Sequence, residues 1–282
     1  MARGLSRRAV IAALPLSALA GAAHAAAPGL SLSGKFVQGG FAVGRTTPRA
    51  LIDIDGRVQT TASANGWFVI GFDRDAPPAS KLTISTPDGS AVDERTIAPG
   101  DFDIQRIDGL PPEQVTPTDP ALLERITAEN VRKVAGFASQ ADLEGFRDGF
   151  ILPVVGARRS ARFGGQRILN GEPKRPHYGV DLATPVGTPV RAPAGGVIAF
   201  AETGLHYEGG LLLVDHGQGL VTAYLHLSKI LAPTGTYVKQ GQLIAQTGKE
   251  GRATGPHLCW RMKWRGRNLD PSLLVGAGPF QA

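Results

Sequence analysis

From Ile151 to the C-terminus no helical period is sustained. Short strand-like pieces recur instead: Val190-Arg191-Ala192, Gly196 to Phe200, Leu211 to His216, Leu220 to Tyr224 and Leu243 to Gln246. Glycines at 187, 195, 196, 209, 210, 217, 219, 235 and 241 punctuate them. Glycine turns a chain sharply without steric cost, and short apolar runs between such turns read as strands. The pattern predicts a compact β unit over residues 151–282, an ordinary domain size.

The chain before it is also turn-rich. Over residues 26–112, strand-like runs at Lys35–Gln38, Ala50–Ile54, Trp67–Phe72 and Lys81–Ser85 alternate with turn signals at Asp55-Gly56, Asn65-Gly66 and Pro87-Asp88-Gly89. This spacing reads as a small β-sandwich, an accessory domain without a cluster of potential catalytic residues. Residues 113–150 read as linker and helices. Asp119-Pro120 is a cap followed by proline in the first turn. Leu122, Leu123, Ile126, Val131, Val134 and Phe137 predict an apolar helix face up to about Ser139, and a second short helix is expected over Gln140–Phe146. The fold class is mainly β: an N-terminal sandwich, a short helical linker and a C-terminal β-rich unit.

Residues 1–25 carry an address. Arg3, Arg7 and Arg8 precede an apolar run from Ala9 to Ala20, and Ala23-His24-Ala25 has the form of a small-residue cleavage site. This is the pattern of a secretory signal peptide, too short for a stable membrane anchor. Ser6-Arg7-Arg8 weakly resembles a twin-arginine signal, so both export routes stay open. An exported protein of the periplasm or cell envelope is expected. No other stretch approaches the roughly 18 apolar residues of a span. Of the formal net charge of +6, three units belong to the leader. The remaining excess suits an anionic envelope and makes no case for nucleic acid. There is one cysteine, Cys259, so an internal disulfide is impossible. Such a residue in an exported protein is buried, reactive or metal-bound.

Five histidines lie outside the leader, all between residues 177 and 257. His257 and Cys259 at spacing i, i+2 would share one face of a strand, and both types ligate zinc. A buried structural cysteine fits the same position. His177 and Asp181 flank Tyr178-Gly179-Val180. Four extended residues span roughly 13 Å, too far for a shared ion, so a bend at Gly179 is expected. Alternation would put His226 and Tyr224 on one face, with a half-buried structural role for His226 equally open. His216 reads as a structural hydrogen-bonding residue, and His206 has no assigned role.

Read in order, Pro176-His177-Tyr178-Gly179-Val180-Asp181, Gly187-Thr188-Pro189-Val190, Asp215-His216-Gly217, Tyr224-Leu225-His226-Leu227, Gly241-Gln242 and Gly255-Pro256-His257-Leu258 resemble the lysostaphin-type (LytM-like) zinc endopeptidases, which are peptidoglycan hydrolases. The resemblance covers about residues 150 to 275. It implies a barrel-like β sandwich with a groove holding Zn²⁺. It implies metal ligands at His177, Asp181 and Cys259 and catalytic histidines at His226 and His257. The implied substrate and partner is peptidoglycan. One departure stands out: the third ligand position, a histidine in the family, is Cys259. A thiolate ligand lowers the first-shell charge by one unit relative to a histidine and weakens the metal as a Lewis acid. The competing reading is a catalytically weak or inactive relative that binds the cell wall or activates a cell-wall amidase at the division site. The N-terminal sandwich is a candidate cover for the groove.

Overall fold

A computed structural model describes residues 28–276 and 278–280; the leader read at residues 1–25 lies outside them. The C-terminal half is built on one antiparallel sheet. Seven strands run in the order Tyr237–Val238, Gly196–Leu205, Gly209–Asp215, Leu220–Leu225, His257–Trp264, Val180–Ala183 and Arg158–Ala161, and Arg267–Leu269 folds back on His257–Trp264 as a hairpin. The sheet keeps two edges, so the sandwich is not a closed barrel. A second sheet of Pro189–Arg191, Leu243–Thr247 and Leu227–Ile230 shares its core.

Strict alternation sorts the central strands. Leu258, Trp260, Met262 and Trp264 face the main core together with Leu220 and Tyr224. Each such buried side chain stabilises by roughly 1.5–3 kcal/mol. Cys259 faces the other side, in a smaller apolar cluster with Val221, Ala223, Leu225, Leu211 and Leu213. The strand that carries Cys259 is interior to the sheet, and on its second face Cys259 itself is buried while His257, Arg261 and Lys263 are partly buried.

The N-terminal region forms two sheets: Ser31–Gly34, Phe41–Arg45 and Trp67–Gly71 in one, and Arg57–Thr61, Leu51–Ile54, Ala79–Thr86 and Gly89–Thr96 in the other. The first strand is Ser31–Gly34, not Lys35–Gln38; there the chain already turns, and Lys35 N–H bonds the Phe41 carbonyl. The core of this region is continuous with that of the C-terminal half. Its last strand, Ile104–Ile107, pairs in parallel with Gln166–Leu169.

The long helix spans Pro120–Phe137, with the Asp119 carboxylate accepting from Ala121 N–H at 3.1 Å. Its buried face differs from the expected one. Ile126, Glu129, Lys133 and Gly136 are buried, whereas Leu123, Val131 and Val134 are exposed. Polar partners explain this. Glu129 accepts from Arg125 and from the His206 backbone, and Lys133 donates to both carboxylate oxygens of Glu208. A Cβ at Gly136 would meet Leu213 and Phe200 at 2.9 Å, so glycine permits the close approach to the sheet. The second helix is also displaced. Residues 140–144 are not helical, because Asp215 binds Ser139 Oγ and Ala141 N–H, each at 2.7 Å; a 3₁₀ turn follows at Gly145–Asp148.

His216 lies beneath the sheet as a fully buried group. Its Nδ1–H donates to the Gly195 carbonyl at 2.8 Å, and its Nε2 accepts from the Thr222 hydroxyl at 2.7 Å. That hydroxyl in turn accepts from Tyr224 at 2.8 Å. Burial pushes the His216 pKa down to about 4, against the opposing pull of its Gly195 hydrogen bond. A folded value below the unfolded one, near 6.5, means stability is complete above pH 6.5 and is lost as pH falls toward about 4. At about 1.4 kcal/mol per unit the loss is a few kcal/mol. The thermal midpoint is expected to drop across this window, and His216→Gln to flatten that drop; an unchanged pH profile in the variant would refute the assignment.

Candidate metal centre and active site

The register of the main sheet sets the centre. Asp181 lies directly opposite Cys259 in the pairing of Val180–Ala183 with His257–Trp264. Opposed residues in an antiparallel pair project to the same side with Cβ atoms about 5 Å apart. On its other edge the Val180–Ala183 strand shifts register between Asp181 and Leu182, a bulge of the kind that re-aims side chains beside sites.

His177 precedes the strand. Its N–H donates to the Gly165 carbonyl at 2.8 Å, and its carbonyl accepts from Gly164 N–H at 2.7 Å. So anchored, His177 Nε2 lies 3.1 Å from Asp181 Oδ1 and 3.3 Å from Cys259 Sγ. One donor atom from each of the three residues lies within 4.8 Å of the others. His177 and Asp181 do converge as the expected bend requires, but Gly179 does so without a positive φ. It provides space: a Cβ there would stand 2.7 Å from Arg261 Cγ, 2.9 Å from the Trp260 carbonyl and 3.2 Å from Cys259 Sγ.

The donors suit a cation. His177 and Cys259 are each 1% exposed and Asp181 is 9% exposed, so water cannot solvate them freely. Among the described residues Asp181 Oδ1 has no hydrogen-bond partner, although His177 Nε2 is close. Burial opposes ionisation of Asp181, but His177, His257 and Arg167 outweigh it and hold the carboxyl well below the usual carboxylate range. An ionised, buried oxygen without a hydrogen bond, converging with an imidazole nitrogen and a sulfur, is a donor set that fits zinc.

Two more histidines stand beside this set. His257 Nε2 is 3.7 Å from Asp181 Oδ1, and the His226 and His257 rings lie 4.6 Å apart. His226 departs from strand alternation. Its φ of 65° rotates it away from the core face that Tyr224 occupies and toward His257. Its backbone N–H bonds the Glu208 carbonyl at 2.8 Å, which holds this unusual conformation. The two rings are fixed alike. His226 Nδ1 is 2.7 Å from the Glu250 carbonyl, and His257 Nδ1 is 2.8 Å from the Gly255 carbonyl. A carbonyl only accepts, so Nδ1 carries the proton in each ring and Nε2 keeps its lone pair. Burial lowers both pKa values, that of His226 to about 4. Both rings are therefore neutral near pH 7.

Two arginines were absent from the sequence-derived site. Arg167 Nη2 lies 3.4 Å from Asp181 Oδ2, and Arg261 Nε donates to Cys259 Sγ at 3.4 Å. The stretch from Trp260 to Arg267, basic with aromatics interleaved, reads in sequence as a hairpin with a solvated charged face. The hairpin is present, but its cations are occupied. Lys263 sits over the Phe137 ring, Arg265 donates to Thr60 and Arg267 to the Gly71 carbonyl. The spacing of Arg261, two residues beyond Cys259, was the available signal.

Segment 110–116 ties two loops beside the centre. Asn170 bonds the Leu110 backbone and Thr116 bonds Glu172, while the Gln114 carbonyl accepts from Arg252 at 2.9 Å.

The chain is similar to several known proteins. The model of peptidase family M23 matches residues 175–271. The peptidoglycan DD-endopeptidase ShyA of Vibrio cholerae is 44% identical over 96 residues, 34% of this chain and 22% of that protein. The DD-carboxypeptidase/endopeptidase Mpg of Neisseria meningitidis is 39% identical over 121 residues, 43% of this chain and 28% of that protein. The chain thus spans less than a third of the length of these curated relatives. A crystal structure of a putative M23 peptidase from Pseudomonas aeruginosa superposes with a TM-score of 0.65 at 27% identity, covering 86% of this chain and 96% of that one.

Proposed function

We propose that the chain is a zinc-dependent endopeptidase of the M23 kind, the family whose model matches residues 175–271, hydrolysing peptide bonds of peptidoglycan stem peptides or cross-links. The observation that carries this reading is one cluster: three convergent donors with two neutral, Nδ1-anchored histidines beside them. His177, Asp181 and Cys259 would hold the metal. Zinc, when bound, supplies a Lewis acid that polarises a carbonyl and acidifies water. The chain supplies the rest. The Nε2 atoms of His226 and His257 accept a proton from water, orient it, and return a proton to the departing amine. A protonated imidazole there also donates to the developing oxyanion.

The proposed units keep the sequence division: a leader at 1–25, an accessory β region at 26–112, a connecting segment at 113–150 and a peptidase unit at 151–282. The proposed place of action is the periplasm or cell envelope, with peptidoglycan as partner. The competing role, an inactive relative that stimulates a cell-wall amidase, is disfavoured by the retention of all five chemically competent side chains. Isolated sacculi incubated with the zinc-loaded protein are expected to release muropeptides, and a chelator to stop the release. No product from the zinc-loaded protein, together with stimulation of an amidase, would sink the peptidase reading. A truncation beginning near Ile151 is a poor test of groove occlusion. It removes the Ile104–Ile107 partner of Gln166–Leu169 and much of the shared core.

A further inference from the structure

We propose that Arg261 is the fixed counter-charge that makes a cysteine workable at position 259, so that Cys259 and Arg261 function as one unit. The inference rests on the reading of Cys259 as a metal ligand, and it concerns what that substitution requires of its surroundings.

The chemistry sets the requirement. A ligating cysteine is a thiolate, one negative charge more than the histidine it replaces. Beside the Asp181 carboxylate, this places two anions in a buried pocket. Burying a charge is costly unless it is paired and hydrogen-bonded. The extra charge also cancels part of the metal's own, which lowers its power to polarise a bound group. A permanent cation donating to the sulfur answers both problems. Hydrogen bonds to a ligand from outside the metal's own shell orient it and tune the metal.

The structure supplies this cation by strand geometry. Residues i and i+2 of a strand share a face, so Arg261 follows Cys259 onto the side where Asp181 and His177 project. Its Nε donates to Cys259 Sγ at 3.4 Å, the one hydrogen bond its side chain makes among the described residues. None of the described carboxylates forms an ion pair with it; Glu208 and Asp181 pair with Lys133 and Arg167 instead. Arg167, the other guanidinium of the centre, is turned to Asp181 Oδ2 instead. Each anionic donor therefore has its own arginine.

A second, independent feature is Gly179. It stands between His177 and Asp181 in the chain, yet its φ requires no glycine. The space a Cβ would take is occupied by the Arg261 stem, 2.7 Å away, and by Cys259 Sγ, 3.2 Å away. The missing Cβ leaves room for this cysteine–arginine pair against the segment that carries His177 and Asp181.

The test is a double-mutant cycle read in zinc affinity, by competition with a chromogenic chelator on the full chain. Four proteins are compared: the unsubstituted chain, Arg261→Met, Cys259→His, and the combination of both. Arg261→Met is expected to weaken zinc binding by about 10- to 100-fold, the range for loss of a partner to a ligand. In the Cys259→His background the same change is expected to alter affinity by less than about threefold, since a neutral imidazole needs no counter-charge. Equal losses in both backgrounds, or no loss in either, would overturn the pairing. Arg261→Lys guards against a folding defect; it keeps the charge and is expected to retain affinity better than Arg261→Met, and a lysine variant as weak as the methionine variant would count against the charge. In Co²⁺-loaded protein, the thiolate-to-metal charge-transfer band should shift in Arg261→Met, because the sulfur loses its donor; an unmoved band contradicts the proposal. Failure of the unsubstituted chain to bind zinc would overturn both the ligand reading and this one, whereas zinc binding that is lost in Cys259→Ala but unaffected by Arg261→Met defeats this one alone.

Discussion

Cys259→Ala is expected to purify with far less than one zinc per chain and to lose at least about 10³-fold in peptidase rate, the scale on which removing a member of the catalytic machinery acts. Two protein donors would remain where three converge, and catalytic zinc sites use three. The side chain is 1% exposed and packs with Val221, Ala223 and Leu225, so its truncation also leaves a small void. That costs about 1 kcal/mol, too little to unfold a domain of this size. Metal content and the thermal midpoint therefore separate the two effects. A variant that folds normally and keeps stoichiometric zinc would remove Cys259 from the ligand set. Cys259→His is expected to keep the metal. Its bulk must fit beside Arg261 and the Gly179 backbone, and overpacking there costs roughly 1–3 kcal/mol.

His226→Ala is expected to lower kcat by about 10²- to 10⁴-fold while leaving zinc content unchanged. The ring is held by the Glu250 carbonyl, its Nε2 has no hydrogen-bond partner among the described residues, and it adjoins His257. Its pKa, lowered to about 4 chiefly by burial, keeps it able to accept a proton from about that pH upward. A loss that appears in kcat with KM little changed identifies an interaction made in the transition state. Loss of zinc in step with activity would instead make His226 a ligand or a structural prop, and undisturbed turnover would exclude it from the chemistry.

Much of the site was legible because its signals are local. His257 and Cys259 are two residues apart on a strand, and that spacing needs no tertiary knowledge to put them on one face. His177 and Asp181 are four apart; their chemical types permit a cation, and the family resemblance made them ligands. His226 was the harder case. Alternation assigned it to the face of Tyr224, and a positive φ supported by the Glu208 carbonyl moves it across. The helix was legible in extent and not in orientation. Its valines face outward because Glu129, Lys133 and Gly136 have partners contributed by distant strands.

The sequence by itself determined the β class, the helix start at Asp119, and which side chains are capable of holding a metal, since these depend on residue type, turn chemistry and period. Tertiary structure decided what those side chains meet. The pairing register set Asp181 opposite Cys259, and the missing Cβ of Gly179 left room for Arg261 beside the sulfur. Register and close approach arise from contacts between residues far apart in the chain. A reading that proceeds along the chain sees Arg261 as one more surface cation, and only the folded sheet turns it toward a thiol.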